Sequence, residues 1–126
     1  MEAQHPVRLT VPAEPGSVRL ARLVAAGVAA DAGLSIDDTE DLRIAVSELV
    51  ALLIEGAAAD APDVVIAYRR GPGEVQVSGE SVVGPSPHAM DDLAFGIVEV
   101  MVDSHEFSVD GDTRRFQLVK RARTTA

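Results

Sequence analysis

The side chain of greatest chemical interest in this sequence is Glu48, a lone acid set into the apolar run from Asp41 to Glu55. Folded as a helix, the run places Leu42, Ala45, Val46, Leu49 and Leu53 on one stripe, because these positions recur every three or four residues. Glu48 falls at the edge of that stripe. Leu52, one turn on, lies beside it on the same row, so its neighbour on the helix is apolar and not a second polar ligand. An acid at the edge of an amphipathic helix is ordinarily a solvated flank residue. Other sources of site chemistry are scarce. The chain has no cysteine, so neither disulfides nor thiolate metal sites arise, and His5, His88 and His105 are too scattered to form a ligand pair at helical spacing. No metal site is expected.

The elements that must position Glu48 are legible from pattern. Pro6 to Val11 alternates as a half-buried strand, ended by the Pro12 to Gly16 segment. A helix follows from Ser17, whose hydroxyl is placed to cap it, with Leu20, Leu23, Val24, Gly27 and Val28 as its buried stripe and Gly33 at its left-handed end. Ser35 caps the next helix, and Asp37, Asp38, Glu40 and Asp41 crowd its first turns, where acids favour the positive end of the helix dipole. Val64 to Tyr68 and Glu74 to Ser78 read as a hairpin turning at Arg70 to Gly73, and Gly79 to His88 reads as a loop. A third helix runs from Met90 to Met101 and is apolar on nearly every side, so it must be covered. Phe107 to Val109 and Arg115 to Val119 flank Asp110, Gly111 and Asp112, a strong hairpin signal.

This order predicts one α+β domain over residues 1–126, a two-layer sandwich with a mixed, mostly antiparallel sheet and helices on one face, and residues 121–126 as a flexible tail. A formal net charge of −9 and few aromatic residues oppose nucleic-acid binding. The acids from Asp37 to Asp41 also suggest a surface that steers a basic protein partner. With neither a signal segment nor an apolar stretch of membrane-spanning length, a cytoplasmic location without membrane contact is expected.

The segment Ala45 to Ile54 resembles the helix motif of the anti-sigma regulatory factors with a histidine-kinase-like ATPase (GHKL, Bergerat) fold, the serine kinases of bacterial partner-switching systems. The resemblance covers nearly the whole chain in order: Leu9 to Ala13 before the first helix, the Glu48 helix, the central hairpin, and Gly96 to Asp103 before the closing hairpin. It implies that Glu48 occupies the position of the family's catalytic base and Leu52 that of an Asn that helps hold magnesium on ATP. In the family's adenine-binding D-x-G-x-G segment, the Asp position falls on Gly79 and the next glycine on Ser81, leaving Glu80 and Gly84 as the nearby pocket positions. A one-residue shift along a strand turns a side chain to the other face, so Glu80 is expected to look away from the pocket. The second glycine segment, which brings backbone N–H groups to the phosphates, reads Ala94 to Ile97 and keeps only Gly96.

The resemblance therefore implies a regulator of transcription that works by partner switching, with weak or lost ATP binding and a vestigial Glu48. Expected partners are a sigma factor, an anti-anti-sigma (STAS-type) protein, or both, and a homodimer is expected because the third helix is apolar on more faces than one sheet covers. No cofactor is expected; ATP and magnesium enter only in the alternative, an active serine protein kinase that phosphorylates an anti-anti-sigma antagonist.

Overall fold

A computed structural model of the chain describes residues 5–55, 57, 62–82 and 92–123. The first strand, β1 (Val7–Val11), leads into α1 (Ser17–Asp31) and α2 (Ile36–Glu55), followed by the hairpin of β2 (Val64–Gly71) and β3 (Glu74–Val82). Then come α3 (Asp92–Met101) and the closing hairpin of β4 (Ser104–Asp110) and β5 (Thr113–Arg121). The strands form a single five-stranded sheet in the order β1-β2-β3-β5-β4. All four pairings are antiparallel, so the expected mixed sheet has no parallel component among the described residues.

Both hairpins turn on glycines at positive φ. Gly111 (φ 63) follows Asp110 in a two-residue loop, and Gly73 (φ 69) follows Pro72, the pairing a type II turn asks for. Alternation along the strands sorts side chains between the two faces. Val64, Ile66, Tyr68, Val75, Val77, Phe116 and Leu118 are buried and form one core with the inward residues of the helices. The Tyr68 hydroxyl donates to the Ala21 carbonyl of α1 at 2.8 Å, Leu53 of α2 packs beneath Gly79, and Phe95 of α3 meets Phe107 with ring centroids 5.3 Å apart. All three helices thus lie on the same face. Burial pushes the Tyr68 phenol well above its usual range.

Several expectations need correction. Ser17 is the first residue of α1 and not its cap; Gly16 holds that position, and the Ser17 hydroxyl donates to the Pro12 carbonyl at 2.8 Å, fastening the incoming chain. The buried face of α1 is Ala21, Ala25, Val28 and Ala29, while Leu20 and Leu23 are exposed, Leu23 by 55%. Short side chains let α1 lie close against α2, and that outweighs the larger apolar area of the leucines. Gly33 (φ 81) ends α1 as expected: the N–H of Leu34 reaches the Ala29 carbonyl and that of Gly33 the Ala30 carbonyl, a Schellman arrangement. The loop expected from Gly79 begins later, because β3 continues through Val82 in register with β5. The rest of that loop, including Gly84 and His88, lies outside the described residues, as does Met90. The third helix is left uncovered on one side among the described residues, with Leu93 and Val100 each 76% exposed.

The C-terminal end is held by charge. Asp38, only 2% exposed, accepts a hydrogen bond from the Arg123 amide at 3.0 Å and pairs with the Lys120 ammonium at 3.5 Å and the Arg123 guanidinium at 3.2 Å; Asp41 pairs with the same two cations. Residues 121–123 are therefore tied down, unlike the tail expected from 121. Two of the four acids expected to serve the helix dipole, or to steer a partner, are spent on this internal tie. No helix among the described residues is long and apolar enough to cross a membrane.

Candidate functional site

Glu48 lies in the fourth turn of the 20-residue α2. Ser35 starts that helix by accepting from the Asp38 amide at 3.1 Å, and Leu42, Ala45, Val46, Leu49 and Leu53 bury the stripe that the spacing predicts. Glu48 itself is half-buried at the stripe's edge and has no hydrogen-bond or ion-pair partner among the described residues. Leu52 is buried one turn on. Its side chain offers no oxygen to a metal, and its carbonyl is already engaged by the Arg114 guanidinium, whose Nη1 donates at 3.1 Å.

Arg114 comes from β5 and is 8% exposed. Alternation puts Arg114, Phe116, Leu118 and Lys120 on the helix-facing side of that strand. Ser81, opposite Arg114 in register, donates to the Leu53 carbonyl at 3.0 Å. Together they satisfy two of the four carbonyls that a helix leaves free at its C-terminus, and Arg114 adds a cation where the dipole is negative. The last turn of α2 has no basic residue of its own, so β5 supplies it.

Gly79 lies on the same inward face, opposite Phe116. A Cβ built on it would come within 2.5 Å of Phe116 Cε2 and 3.1 Å of Leu53 Cδ1. The ring thus occupies the space into which any side chain at 79 would project. Glu80 faces the other way, as expected, and pairs with Arg115 at 3.0 Å on the open side of the sheet. It lines a shallow trough of about 410 Å³ there, with Ala67, Ser78, Glu106 and Gln117, on the opposite side of the sheet from α2. Gly96 is the fifth residue of α3 and exposed, past the four N–H groups that a helix start leaves free for phosphates.

Gly79 therefore meets Leu53 of α2 on the inward face, Leu52, next to Leu53 in sequence, is buried, and Glu48 stays at the edge of the helix stripe, while Glu80 turns away and Gly96 sits on an outward face of α3. Gly84 lies outside the described residues. Sequence reasoning missed Arg114 and Phe116, and it placed Ser81 only as a replaced glycine without its bond to α2. The signal that finds them is the period of two: reading β5 outward from Leu118 puts Arg114 and Phe116 inside.

A layer of three helices on one face of a five-stranded antiparallel sheet defines an α+β two-layer sandwich. Residues 11–117 match the histidine kinase-like ATPase domain, and the chain belongs to that family. It is similar to the serine-protein kinase RsbW of Bacillus licheniformis, 27% identical over an alignment spanning 82% of this chain and 78% of that protein. A shorter stretch is 43% identical to RsbW of Bacillus velezensis, covering 43% of this chain and 34% of that one. Among solved structures, the RsbU and RsbW domains of Rv1364c from Mycobacterium tuberculosis superpose with a TM-score of 0.75 at 21% identity, over 98% of this chain and 35% of that one.

Proposed function

We propose that this domain is an anti-sigma-type regulator that acts by binding protein partners, a sigma factor and an anti-anti-sigma protein, without effective phosphoryl transfer from ATP. Its kinship with RsbW proteins supports the partner class. The packing at Gly79 carries the loss of nucleotide chemistry: Phe116 fills the space where an adenine-binding acid would have to stand. Two further features point the same way. Leu52 gives magnesium no ligand, and the Arg114 guanidinium against its carbonyl opposes a divalent cation electrostatically. Mg-ATP does not fit this set of donors. Losing a buried or charge-assisted hydrogen bond costs about 1.5–3 kcal/mol, so two such losses weaken binding by a few powers of ten.

Isothermal titration with Mg-ATP tests the reading directly: the expected result is no binding below millimolar concentration. Glu48, half-buried and without a partner among the described residues, favours the second reading, a live serine protein kinase that uses it as general base. A radiolabel transfer assay with anti-anti-sigma proteins as acceptors separates the two. Under the first reading the parent protein transfers nothing above background, and Glu48→Gln changes partner affinity little and stability by only about 0.5–1 kcal/mol. Transfer that falls roughly 10²–10⁴-fold in Glu48→Gln would establish the kinase.

A further inference from the structure

The side of α3 that faces away from the sheet carries an apolar strip with no partner among the described residues. Leu93 and Val100 stand one seven-residue repeat apart, each 76% exposed, with half-buried Ile97 between them. Gly96 opens a notch in the middle of the strip, since a Cβ placed there would meet no atom within 4 Å. The spacing i, i+3, i+4, i+7 is that of a face which receives another helix, and a glycine at its centre lets the two backbones approach. Ala94 and Val98, on the opposite side, are buried and hold α3 to the rest of the domain.

Charge decides what the strip receives. Asp92 and Glu99 are exposed along one border, next to Gly96, and neither forms an ion pair among the described residues. A second copy of this chain packed α3 to α3 would set these acids against one another, which disfavours the homodimer expected through this helix. An amphipathic helix with an apolar stripe and a basic flank satisfies both halves of the surface. We propose that the outer face of α3 is a docking site for such a basic amphipathic helix of a protein partner. The assignment does not rest on the loss of ATP chemistry, and it names a surface whatever the identity of the partner.

The test uses the full chain and fluorescence polarisation with two labelled helical peptides of about 15 residues, near the length at which an isolated helix holds. One carries leucines at i, i+3 and i+7 with lysine and arginine flanks, and the other the same leucines with glutamate flanks. The expected result is saturable binding of the basic peptide alone. Leu93→Ser with Val100→Ser, which leaves the protein's charge unchanged, should weaken it by about tenfold or more, the effect of losing apolar anchors. Asp92→Asn with Glu99→Gln should weaken it less and flatten its salt dependence. These side chains are exposed, so circular dichroism should report an unchanged fold. Equal binding of the acidic peptide, or no loss in the serine variant, overturns the assignment. So does a dimer in sedimentation velocity that the serine variant converts to monomer, because the occupant is then a second copy. The Mg-ATP titration is indifferent to all of these outcomes, so the two proposals fail separately.

Discussion

At position 79 the side chain that is missing matters more than any that is present. Gly79 is a mid-strand residue whose lack of a Cβ admits the edge of the Phe116 ring. Gly79→Asp should therefore destabilise the protein. Overpacking of this kind costs about 1–3 kcal/mol, and an unpaired buried carboxylate adds to it. The check is the urea midpoint of the variant together with its Mg-ATP titration, in which no binding is expected to appear. The sequence showed that an acid was absent at 79 but not what stood in its place. Phe116 is 37 residues away in the chain, and only the β3–β5 register brings the two together. Glu48 and Leu52 were legible because both sit on one helix, where spacing alone fixes the neighbours along a row.

The elements differ in how openly they declared themselves. α2 was read correctly because Ser35 caps its start and Leu42, Ala45, Val46, Leu49 and Leu53 recur every three or four residues along its 20-residue length. α1 was misread because Leu20, Leu23, Val24 and the alanines surround the helix with apolar choices, and period alone does not say which face packs. β3 was cut short because Gly79, Glu80 and Ser81 have weak strand propensity, which the pairing with β5 overrides. The tie between α2 and the end of the chain was invisible because it joins residues 85 positions apart. Its centre is Asp38. Burial pushes that carboxyl up, but the Arg123 amide, the Lys120 ammonium, Ser35 and the Arg123 guanidinium together outweigh burial and hold it below its ordinary value of 3.8. A lowered folded value means that the tie contributes fully above the unfolded pKa and is lost as pH falls through the folded one. Urea midpoints recorded from about pH 6 to about pH 3 should show an acid-side fall that is shallower in Asp38→Asn. The same variant should lose about 1–3 kcal/mol near neutrality, since Asp41 still pairs with Lys120 and Arg123.

Across the whole molecule one core runs from β1 to α3, and the only tyrosine, Tyr68, is fully buried at the junction of β2 with α1. In the absence of tryptophan its fluorescence reports that junction alone. Thermal or urea unfolding should therefore be a single transition in which tyrosine emission and far-ultraviolet circular dichroism share one midpoint. Two separate midpoints would mean that the α1 side and the β4–β5 side unfold independently. The order of elements and the one-sided helix layer were readable from pattern, because alternation and turn glycines are local signals; the long-range polar contacts were not. The contact between Gly79 and Phe116 also bears on descent. A lineage carrying this pair does not gain an acid at 79 in one tolerated step, because the ring must shrink first, and Phe116→Ala alone removes about 3–5 kcal/mol of core packing. Either order of the two changes passes through a poorly folded intermediate, so the packing works as a barrier against any acid at 79.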